Sequence, residues 1–89
     1  MKHCILDGAE LADADAVYRE IAAAFGFAAY FGNNLDALWD ALSEPGLAKR
    51  ELTWRNSAIS AQRLGAQFDT IVAVLKRAVA GGLLTLRLL

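Results

Sequence analysis

At 89 residues the chain has room for one hydrophobic core, because a domain this small buries only about 60 to 65% of the surface its unfolded chain exposes. A hydrophobic share of 56% with 21% charged residues excludes a disordered chain, and one domain over residues 1–89 is expected. The net charge of −1 conceals a polarity, −6 over residues 1–45 and +5 over residues 46–89, which fits a charged partner or two halves that attract each other in the fold.

The start, Met1-Lys2-His3-Cys4-Ile5-Leu6-Asp7, breaks its apolar run too early for a secretion signal, so a cytoplasmic protein is expected. The longest apolar stretch, Ile21 to Phe31, has 11 residues where a bilayer span needs about 20, so no membrane segment is expected. Cys4, the single cysteine, can form no internal disulfide and reads as a small core residue.

In chain order, Cys4-Ile5-Leu6 is a short strand ended by the Asp7-Gly8 turn. Asp13 or Asp15 caps a helix whose apolar positions Val17, Ile21, Ala24 and Phe25 follow helical spacing, with Gly26 at its end. After a loop from Phe27 to Gly32, Asn33 or Asn34 caps a second helix bearing Leu35, Leu38, Trp39 and Leu42, which Ser43-Glu44-Pro45-Gly46 stops. Glu51 to Arg55 alternates as a strand, and a short helix follows around Ser57 to Leu64. Phe68, Ile71, Val72, Leu75 and Val79 mark the apolar face of a last helix closed by Gly81-Gly82. The apolar run Leu83 to Leu89 reads as a strand buried on both faces. Strands separated by helices need crossover connections, so the fold class is α/β: a small, mainly parallel sheet of about three strands packed by about four helices.

Little in the chain builds an active site. His3 is alone beside a strand start and reads as a surface histidine, and no residues cluster as metal ligands. Gly32-Asn33-Asn34 offers backbone N–H groups to an anion, but with no Lys or Arg nearby it reads as a helix cap. Asp36 and Asp40 have the spacing of a carboxylate pair, yet nothing in the local sequence completes an acid–base or metal site. No enzyme activity and no cofactor are expected.

The second helix is the informative one. At about 100° per residue, Leu35, Leu38 and Leu42 share a narrow core face, while Trp39, Ser43, Asp36 and Asp40 fill the adjoining arc from about 40° to 140°. Two aspartates at i and i+4 repel by about 0.2–0.5 kcal/mol, so folding alone does not ask for them. A solvated face explains the arc, and so does a protein interface in which an aromatic anchors and charges select.

The stretch Tyr30-Phe31-Gly32-Asn33-Asn34-Leu35-Asp36-Ala37-Leu38-Trp39-Asp40-Ala41-Leu42 resembles the signature segment of the barstar family, intracellular inhibitors of barnase-type guanyl-specific ribonucleases. Length and order of elements agree over nearly the whole chain, more loosely outside this segment. The resemblance implies a barstar-like fold and an inhibitor that plugs a ribonuclease active site with this helix and the loop before it. Asp40 would take the place of the RNA phosphate, Asp36 would add a second acidic contact, and Tyr30 would pack on the catalytic histidine. Asn34, Trp39, Phe31 and Ser43 would surround them. Two positions depart from the family pattern: Arg77 stands where the last long helix carries a glutamate that reaches a basic group on the nuclease. Glu44 stands where the best-known member has a tryptophan. The implied partner is therefore a related secreted or toxin-type ribonuclease, bound by a monomer in a 1:1 complex without direct nucleic-acid contact. The competing reading is a general protein-interaction module of the same fold. A basic RNA-binding role is disfavoured because the arc is acidic.

Overall fold

The computed structural model describes residues 2–28, 32–44 and 49–89. Three strands, β1 (Lys2–Asp7), β2 (Arg50–Arg55) and β3 (Leu84–Leu88), run parallel in the order β1-β2-β3. Helices α1 (Ala14–Phe25) and α2 (Leu35–Leu42) lie between the first two strands in sequence, and α3 (Ser57–Leu64) and α4 (Ala66–Ala80) between the last two. The α/β expectation of a small parallel sheet with helical crossovers is met.

Local chemistry sets the helix ends. Asp13 caps α1 by accepting from the Ala16 N–H at 2.8 Å, and Gly26 closes it with φ 69°, a left-handed conformation that a Cβ disfavours. Asn34, of the two candidate asparagines, caps α2 by accepting from the Ala37 N–H at 2.8 Å. Asn56 precedes α3 with φ 52° and caps nothing with its side chain, which instead donates to Asp7 Oδ1 at 2.8 Å across the sheet. Gly8 sits so close to this turn that a Cβ there would collide with the Asn56 carbonyl oxygen.

Burial on the sheet alternates with the two-residue strand period. Cys4, Leu6, Leu52, Trp54 and Leu84 point inward and are buried, whereas His3, Ile5, Arg55, Thr85 and Arg87 face solvent. They meet Val17, Ile21 and Phe25 of α1, Leu38 and Leu42 of α2 and Ile71, Leu75 and Ala78 of α4 in one core cluster. Trp54, on the central strand, donates its indole N–H to Ser60 Oγ at 2.9 Å and meets the Phe68 ring edge-on at 5.1 Å. The fully buried indole therefore keeps a hydrogen bond.

Two expectations are corrected. The last strand is not buried on both faces: among the described residues helices cover one side of the sheet, Thr85 and Arg87 on the other side are exposed, and Leu88, in the inward row beside Trp54, is still 39% exposed at the strand end. Val79 is not a core residue of α4; it is 41% exposed, and Ala78 takes the buried place in the last turn. No helix of the described residues is long and apolar enough to cross a membrane.

Candidate functional site

Helix α2 is eight residues long, too short to persist alone in water, so its placement comes from tertiary packing. Leu38 and Leu42, 0% and 1% exposed, anchor it in the core, and Leu35 and Trp39 pack partly buried at its margin. α2 lies against α4. With the leucines fixed inward, Asp36 and Asp40 emerge on the exposed side one turn apart.

Asn34, Asp36, Trp39, Asp40 and Ser43 thus fall on one helix and its caps. Asn34 spends its side-chain carbonyl on the cap of α2. Ser43 donates its hydroxyl to the Trp39 carbonyl at 2.7 Å, which satisfies a carbonyl in the last turn. Tyr30 and Phe31, the other two candidates, lie outside the described residues, as does Pro45 of the expected helix stop.

Two arginines that complete the setting come from other elements. Arg77 of α4 lays its guanidinium over the Trp39 ring, 4.0 Å from the centroid, at the seam between α2 and α4. Arg50 opens β2 and is 4% exposed. Its guanidinium lies 5.5 Å from the Phe25 ring centroid and 5.3 Å from that of Phe27. Its Nη1 donates, at the long distances of 3.4 and 3.5 Å, to the carbonyls of Ala41 and Leu42. These carbonyls belong to the negative end of the α2 dipole, which a buried cation complements. Burial pulls the Arg50 pKa down and Glu44 opposes that pull, but a guanidinium stays charged throughout.

Arg50 was missed in the sequence although a signal was present. The alternation that puts Leu52 and Trp54 inward puts Arg50 on the same face, and an inward cation at a strand start has to find partners.

Other reactive groups are set apart from this face. Cys4 is buried, and burial, with Glu20 nearby, pushes its thiol pKa up to about 12, so it stays protonated and poorly nucleophilic. His3 is exposed on the open side of the sheet. Among the described residues no group of three or more His, Cys, Asp or Glu side chains could hold a metal ion. No buried side-chain nitrogen or oxygen among them lacks a hydrogen-bond partner.

Fold and site together define a class: a small α/β protein with a three-stranded parallel sheet that displays two carboxylates beside a tryptophan on a short, core-anchored helix. The family model described as "Barstar (barnase inhibitor)" matches residues 1–83. A Bacillus subtilis (strain 168) protein named "Putative ribonuclease inhibitor YrdF" is 30% identical over 78 residues, which covers 88% of this chain and 86% of that protein. The chain belongs to the barstar family, as the segment Tyr30 to Leu42 led one to expect.

Proposed function

We propose that this chain is a proteinaceous inhibitor that blocks the active site of a barnase-like or toxin-type ribonuclease with α2 and the segment before it. The observation that carries the reading is the exposure of Asp36 and Asp40 beside Trp39 on a helix fixed by Leu38 and Leu42, in a chain of the barstar family. An enzyme that cleaves RNA must hold a polyanion, so its site is basic. Asp40 takes the place of a substrate phosphate there, Asp36 adds a second carboxylate, and Trp39 supplies apolar contact at the edge. By family resemblance Tyr30 and Phe31 complete the contact, with Asn34 and Ser43 at its margin. The inhibitor acts by occupying the site, as a monomer in a 1:1 complex, and performs no catalysis. RNA itself is not the ligand, since phosphates are repelled by an acidic face.

The test is inhibition of RNA cleavage by the purified protein at near-stoichiometric amounts, against a panel of barnase-like and toxin-type ribonucleases. Asp40→Ala and Glu44→Ala are run beside it. Asp40→Ala should weaken inhibition by about 2–5 kcal/mol, the range for truncating one partner of a desolvated interfacial charge pair. The barnase–barstar pair is itself among the systems that set this range, so the figure is inherited from the family. Glu44→Ala should change inhibition less, and both variants should fold. Equal inhibition by the two variants would sink the phosphate-mimic role; no inhibition of any nuclease would favour an interaction module with a different partner.

A further inference from the structure

The cation held on Trp39 makes this face bipolar. Arg77 is exposed on α4, and its guanidinium carbon lies 4.0 Å from the Trp39 ring centroid. A guanidinium held over an indole ring by cation–π attraction keeps the N–H donors along its edge for a further partner. Among the described residues no hydrogen bond or ion pair takes up that edge. An unrestrained arginine loses much side-chain entropy when it binds, whereas one stacked on an indole is already held. The planar fork matches a carboxylate in bidentate fashion.

We infer that Arg77, held on Trp39, is a specificity-determining residue that selects ribonucleases carrying an aspartate or glutamate at the rim of the basic active site. The inference rests on the reading of α2 as an active-site plug. Asp36 and Asp40 demand a basic centre in the partner, and Arg77 at the α2–α4 seam demands an acidic group beside it. An RNA strand does not satisfy both, because its phosphates meet the two aspartates along with the arginine. A nuclease with a lysine or arginine at that rim is excluded by like charge, which gives discrimination by repulsion as well as attraction.

The experiment measures inhibition constants of the intact protein and of R77A, R77E and R77K, with D40A as reference, against each ribonuclease in the panel. On a nuclease that the wild type inhibits, R77A should weaken inhibition about tenfold and R77E further, while the melting temperature falls by no more than the roughly 2–8 °C that one lost ring contact accounts for, with R77K recovering only part of the inhibition. Replacing the facing nuclease carboxylate by its amide should weaken the wild type by a similar factor and leave R77A almost unaffected, the mark of a direct pair. R77E should also gain against nucleases with a basic rim. If R77A and R77E match the wild type on a nuclease that D40A no longer inhibits, the role of Arg77 is overturned while the plug reading stands. If the wild type inhibits no nuclease, both fall.

Discussion

Arg50→Ala removes a cation that touches three parts of the structure at once: the end of α1 through Phe25, the following segment through Phe27, and the last turn of α2 through the Ala41 and Leu42 carbonyls. Each ring contact is worth about 0.5–1 kcal/mol, and a cation at a partly buried helix C-terminus about 0.3–2 kcal/mol. The lost packing of the aliphatic stem adds to this, and relief from holding a charge away from water subtracts. A net loss of about 2–3 kcal/mol follows. At about 4–8 °C per kcal/mol for a domain of this size, the thermal midpoint should fall by roughly 10–20 °C. Arg50→Leu restores volume but leaves the two carbonyls without their donor, so it should lose less than half as much. Arg50→Lys keeps the charge without the planar stack and should fall between. Thermal unfolding followed by circular dichroism gives the midpoints, and hydrogen exchange at Trp39 to Ser43 reports whether the last turn of α2 loosens first. An Arg50→Ala midpoint within about 2 °C of the wild type would refute the argument, since desolvation would then cancel every contact the guanidinium makes.

Cys4, pushed up to about 12 by burial, favours the neutral thiol in the fold. Its stabilising contribution is present in full below the pKa of an unfolded thiol, about 8.5, and is lost as pH rises toward the folded value. A thiol reagent at about pH 8 should therefore label Cys4 only on unfolding, and native labelling at the rate of a free thiol would contradict its burial. Asp7 is shifted the other way: donation from the Asn56 side chain, then from the Ala9 N–H, holds its carboxyl below the usual range. Its contribution is present above about pH 4 and lost as pH falls through the depressed value. Denaturant titrations should accordingly show the advantage of wild type over Asp7→Asn shrinking from neutral pH to about pH 3; an advantage constant across that range would contradict the assignment.

The parts of the fold written in local pattern were legible. Asp13 with Gly26, and Asn34 with the leucines after it, mark the ends of α1 and α2 through hydrogen bonds formed within a few residues. The acidic arc with Trp39 followed from the leucines alone, since burying Leu38 and Leu42 leaves Asp36 and Asp40 outside. What failed depended on which side of an element had a neighbour. Leu83 to Leu89 is apolar enough for a strand covered on both sides, but among the described residues no helix crosses the outer face of the sheet, so Thr85 and Arg87 stand in water, and Leu88, at the end of the inward row, is partly exposed as well. Val79 fits the helical spacing yet stands in the last turn of α4, where Ala78 takes the inward place. The alternation of β2 marks Arg50 as inward and the family pattern marks Arg77 as unusual, but the rings and carbonyls they meet lie on other elements, which no local spacing names.

A sheet whose strands all run parallel has no hairpin from which to grow. Lys2 pairs with Arg50 and Arg50 with Leu84, so each pairing closes a loop of roughly 30 to 50 residues before any ladder bond compensates for the lost freedom. β2, placed centrally, cannot be paired on both edges until both crossovers are in place. A chain still lacking α4 and β3 would leave α2 without the helix it packs against and with too few residues to hold its shape. The acidic face is therefore expected to take its shape only once α4 and β3 have closed onto the sheet, since α2 packs against α4.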